Sequence, residues 1–139
     1  MRVAHLLGQK MDRDLADLDL SANGFGVLFQ LDGDPDVSAA ELARRVVLTP
    51  QSVGPLLDRM ARDGLVERER PGGPGTAIVT RITARGRQRL AEATALVRSL
   101  DDGLVVGLGT RQRDALDRQL WEMLRALAPD AGPQGTPGT

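Results

Sequence analysis

The chain has 139 residues, 41% hydrophobic, 27% charged and only 2% aromatic, with a formal net charge of −1. That balance suits one globular domain with an aliphatic core. It excludes a disulfide scaffold and a thiolate metal site, because there is no cysteine, and a membrane span, because no apolar run approaches the ~18 residues one needs. The opening MRVAHLLGQKMDRDL is broken by Lys10, Asp12 and Asp14 and lacks a signal peptide's apolar block. The expected location is therefore cytoplasmic, with no membrane partner.

Val3, Leu6, Leu7, Met11, Leu15 and Leu18 recur at three- and four-residue steps, which predicts an amphipathic helix over 2–18. Ser21 is placed to cap a second helix carrying Phe25, Leu28, Phe29 and Leu31, in which Gly24 and Gly26 mark the close approach of a neighbouring helix. After the turn DGDPD, Ser38 and Glu41 spell a capping box that opens a third helix through Val47. Thr49 caps a fourth, with Pro50 at its first position, where a missing N–H is harmless. Val53, Leu56, Leu57 and Met60 form its inner stripe, and Gly64 is a C-terminal stop. Two short helices so closely joined must cross steeply, as in a helix-turn-helix.

LVERER and AIVTRIT read as short strands connected by the glycine-rich PGGPGT. A long helix follows, with Leu90, Ala93, Val97, Leu100 and Leu104 at helical spacing. A last helix carries Leu116, Leu120, Trp121, Met123, Leu124 and Leu127 and ends at Pro129; residues 129–139 read as a disordered tail. The fold class is mainly α: a winged helix-turn-helix with a small β-hairpin wing, plus helices at both ends of the chain.

The near-neutral total hides an asymmetry. Residues 44–98 carry eleven basic and five acidic side chains, whereas residues 1–43 carry three and eight. A basic island between acidic flanks suits a face turned toward an anionic polymer, although arginines that simply solvate helices would give the same count. On the fourth helix Gln51, Ser52, Gly54, Pro55, Asp58, Arg59 and Arg62 fall away from the apolar stripe. A major-groove helix reads with its N-terminal residues. Gln51 can bond an adenine edge twice and Ser52 can meet several edges, while Arg59 and Arg62 are better placed for phosphates. The helix starts at Ser38 and Thr49 present N–H groups to anions. Ordinary first-turn capping is the bland account of Gln51 and Ser52. Pro55 removes the N–H that would bond the Gln51 carbonyl, which predicts a kinked or loosened helix.

SAAELARRVVLTPQSVGPLLDRMARDGLVERE, followed by RIT and RGRQRL, resembles the winged-helix regulators of the MarR (multiple antibiotic resistance regulator) family. The likeness runs from the first helix to the last and is densest over 38–90. It implies a single domain over 1–128, with a DNA-binding lobe at 20–86 and dimerisation helices at 1–19 and 87–128. It further implies an obligate homodimer on a pseudo-palindromic operator in double-stranded DNA, with a repressor's role. Many members release DNA when a small phenolic or anionic molecule binds between the dimer helices and the reading lobe. Here Met11, Leu15, Phe25 and Phe29 are the expected lining of such an effector pocket. Val3, Leu6, Leu7, Leu116, Leu120, Trp121 and Leu124 are the expected dimer contacts.

Two departures stand out. The family's wing usually carries at its tip an arginine that enters the minor groove; here Gly75 takes that place, leaving Arg70 or Arg81 at the base of the wing to serve. Pro55 stands where relatives often carry a polar or basic side chain. Both keep a rival reading alive, a winged-helix dimer that binds protein rather than DNA. An enzyme is not expected: His5 is the only histidine, with no triad, metal cluster or phosphate loop around it, and no cofactor is implied.

Overall fold

The computed structural model describes residues 2–127, and the tail expected at 129–139 lies outside them. Its elements are α1 (Arg2–Leu15), a 3-10 turn (Ala16–Leu18), α2 (Ala22–Gly33), α3 (Ala39–Arg45), α4 (Pro50–Arg62), β1 (Val66–Glu69), β2 (Val79–Ile82), α5 (Ala84–Leu104) and α6 (Thr110–Leu127). The strands form one antiparallel hairpin, with Val66 opposite Ile82 and Glu69 opposite Val79. The expected mainly helical winged helix-turn-helix is what is observed.

The core is aliphatic, centred on the fully buried Leu15, Val27, Leu28, Leu31, Leu42, Leu57 and Leu65. It draws on the end of α1, on α2, α3, α4, both strands and α5. On α4 the buried set is Val53, Leu57 and Met60, with Leu56 half-buried. Gly26 faces the Val46 side chain of α3, so the expected close helix approach is real there; Gly24 instead meets Leu20 and Ser21 of its own approach segment.

Two helix ends fall two or three residues short of the pattern reading. The stripe over 2–18 ends as α-helix at Leu15 and tightens to a 3-10 turn, because Asp19 adopts a left-handed φ of 57°. The Asp19 N–H then bonds Ala16 O and the Leu20 N–H bonds Leu15 O, the paired closure of a Schellman motif. The third helix stops at Arg45 rather than Val47 for the same reason: Val47 is left-handed at φ 56°, its N–H bonds Arg44 O and the Leu48 N–H bonds Ala43 O. At the end of α4 the same closure falls on Gly64 (φ 72°), where it is unstrained.

The caps are half as expected. Ser21, Ser38 and Thr83 each accept an N–H three residues on. Glu41, however, does not complete a capping box. Its carboxylate holds Arg44 and Arg45, and Arg45 also reaches Asp34 at 3.0 Å, tying α3 to the end of α2. Hydrogen bonds from those two arginines hold the Glu41 carboxyl below its usual range.

Candidate nucleic-acid interface

Residues Pro50 to Arg62 are helical throughout, so the helix continues past Pro55 although that residue lacks an N–H for the Gln51 carbonyl. Two local features explain it. The Gln51 carbonyl that loses its partner lies in the exposed first turn, where water can serve it. The residue before the proline is Gly54, with no Cβ to meet the pyrrolidine ring.

Gln51 and Ser52 are exposed on the first turn, Gly54 is half-buried, and Pro55, Arg59 and Arg62 are exposed further along. Among the described residues the Gln51 amide has no hydrogen-bond partner. Ser52 is less free: its hydroxyl lies 2.8 Å from that of Thr49. Thr49 accordingly makes no side-chain cap, contrary to its expected role, and the two hydroxyls hold one another at the helix start.

The basic island resolves into tied and free arginines. Arg44 and Arg45 are held by Glu41, Arg87 stands 3.5 Å from Asp32, and Arg89 stands 2.8 Å from Glu92. Arg68 on β1 pairs with Asp58 on α4, locking the hairpin to the helix; its side chain is only 16% exposed and its Nε has no partner. Asp58 is thus committed to Arg68 and not to Arg59. Arg59 and Arg62 are exposed with no ion pair among the described residues, as is Arg85 at the start of α5. Arg85 went unnoticed in the sequence, where nothing distinguishes it from its tied neighbours.

At the wing, Arg70 is not free: its Nη1 donates to Thr76 O at 2.7 Å. Arg81 is exposed on β2 with Glu69 4.0 Å away. Gly75 is exposed with φ 88°, a conformation in which any L side chain is strained.

The residues expected to line an effector pocket sit in or against the hydrophobic core of the single chain. Leu15 is fully buried in the core, and Met11 and Leu15 border a crevice with Leu96, Val97 and Leu100 that has no interior room. Phe25 and Phe29 are half-buried against the core, with ring centroids 6.3 Å apart. A roomier cavity of about 340 Å³ opens between α1 and α5, lined by Lys10, Asp14, Leu96, Ser99, Leu100 and Leu104.

The expected dimer contacts are left uncovered in the single chain. No described residue of α6 is buried. Val3, Leu6, Leu116 and Leu120 are exposed, Val3 by 78% and Leu120 by 54%, while Leu7, Trp121 and Leu124 are half-buried. Leu104, Val106, Met123 and Leu127 extend the same exposed apolar set.

Known proteins match this arrangement closely. Residues 18–75 fit the profile of the MarR family. The Mycobacterium tuberculosis HTH-type transcriptional repressor Rv2887 is 32% identical over 129 residues, 93% of this chain and 90% of its own. The crystal structure of Rv2887 with DNA superposes with a TM-score of 0.70 at 31% identity, covering 88% of this chain and 91% of that one. The same protein has also been crystallised with salicylic acid, at a TM-score of 0.70. The M. tuberculosis regulator MosR in complex with DNA gives 0.74 at 26% identity, covering 91% and 90%. The helix order, the α4–hairpin lobe and these likenesses over nearly the full chain place it in one group: the chain belongs to the MarR family of winged-helix, DNA-binding transcriptional regulators.

Proposed function

We propose that the chain is a homodimeric repressor that binds a pseudo-palindromic operator through α4. The observation that carries this reading is the exposed start of α4, where, among the described residues, Gln51 stands unpaired beside the Thr49–Ser52 hydroxyl pair, with Arg59 and Arg62 in no ion pair behind it. Gln51 and Ser52 supply base-edge bonds, and the arginines supply phosphate contacts. Arg81 is a further phosphate candidate at the wing. Dimerisation is supported by the apolar side chains that α1, α5 and α6 leave exposed, an extent unusual for a monomer. The lobe at 20–86 would read DNA while 1–19 and 87–128 join the copies, and no catalytic role is assigned.

Release by a small aromatic acid is the second element of the proposal. It is supported by the relative crystallised with salicylic acid, and the cavity between α1 and α5 offers the volume that the Met11–Leu15 crevice lacks. Fluorescence anisotropy with the duplex upstream of the chain's own gene tests the reading, with and without salicylate. Saturable binding that survives excess random duplex is expected. Binding no tighter than to random duplex would favour the protein-docking rival.

A further inference from the structure

The loop of the wing is fastened and uncharged. From Pro71 to Thr80 the chain holds no ionisable side chain. Two β-turns follow one another there. The first is closed by the Gly73 N–H on Arg70 O (3.0 Å), with Pro71 at its second position; the second is closed by the Thr76 N–H on Gly73 O (3.2 Å), with Pro74 second. Gly75 at φ 88° gives the second the form of a type II turn, for which Pro-Gly is the preferred centre. The Thr76 hydroxyl also donates to Gly73 O at 2.7 Å, and the Arg70 guanidinium closes the base on Thr76 O. A Cβ on Gly72 would lie 2.5 Å from the Thr76 methyl, so the two turns pack against each other.

We infer that this wing does not sense minor-groove width, that sequence discrimination is confined to α4, and that Arg70 is a positioning residue of the wing rather than a DNA ligand. The inference rests on the DNA-binding reading above. Groove narrowing is felt as enhanced negative potential, and a cation inserted in the groove is what responds to it. The loop offers none. The nearest cation before it, Arg70, is held at the base of the loop by its bond to Thr76 O, and the first after it, Arg81, sits back on β2 beside Glu69. The tip cannot be given a charge at Gly75 without strain, but Pro74 is exposed and its place in the turn accepts most residues.

The test starts from duplexes enriched by the full-length protein from a random library. The preferred duplex is then made in two forms, with A-tracts or with mixed G·C sequence under the wings. The wild type should bind both within about twofold. Pro74→Arg should bind the A-tract form several-fold more tightly than the other, with the difference shrinking as salt rises, because one cation per wing has been added. Arg70→Ala should leave the salt slope unchanged while the Gly73 and Thr76 amides exchange faster. A wild-type preference of fivefold or more for one flank, or a salt slope lowered by about one unit in Arg70→Ala, overturns the inference while leaving DNA binding intact. Failure to enrich any duplex instead overturns the DNA reading, and the inference with it.

Discussion

Replacing Val47 by glycine should stabilise this protein. Val47 is the left-handed residue that closes α3, at φ 56°, and it is β-branched. An L residue in that region suffers a clash worth ~1–2 kcal/mol, and a branched Cβ takes the upper end. The side chain recovers little of this, since the residue is 67% exposed. Burying about a third of a valine contributes roughly 0.5 kcal/mol, and the freer unfolded chain of the glycine variant subtracts about as much again. The net expectation is stabilisation by about 1 kcal/mol, or roughly 3 °C in Tm for a domain of this size. The assay is thermal unfolding at one fixed protein concentration, because association contributes to the midpoint. Val47→Ala, which keeps a Cβ but loses the branch, should fall between the two. A lower midpoint for Val47→Gly would show that the exposed valine contributes more by contact than its backbone loses by strain.

Gly86→Ala should have the opposite effect, because the new Cβ would stand 2.1 Å from Leu65 O. That carbonyl is fixed by the Thr83 N–H and hydroxyl, so a loss of at least about 3 kcal/mol, or no soluble folded protein, is expected in denaturant titration. Asp58→Ala strands the largely buried Arg68 and should cost about 1–2 kcal/mol, discounted from a fully buried pair because Asp58 itself is 59% exposed; adding Arg68→Met should recover most of it by the same measurement. In anisotropy titrations Gln51→Ala should lose ~1–3 kcal/mol at one base position of the operator and relax preference there. Arg59→Ala should instead weaken binding to every duplex and lower the salt slope by about one unit. Sedimentation at micromolar concentration should show one species of twice the 14.9 kDa chain mass; a stable folded monomer would remove the dimer from the proposal.

Much of the fold was legible in the linear order of residues. Helical spacing of leucines and valines, serines before the helices and prolines at the loop are local signals, and the elements they mark depend on short-range geometry. The family resemblance over 38–90 likewise lay in contiguous motifs. What the sequence could not show were the outcomes of competition between alternative partners. Asp58 had adjacent Arg59 within reach, yet it pairs with Arg68 because the hairpin folds back onto α4. Glu41 could have closed a capping box, yet two arginines on its own helix outcompete the backbone N–H. Arg70 reads as one more cation of a basic island until the wing closes and Thr76 O claims it. Net charge along a chain counts these side chains alike. The tertiary structure decides which charges remain free to meet an outside partner, because pairs such as Arg68–Asp58 and Arg87–Asp32 depend on where another segment's backbone delivers the counter-charge.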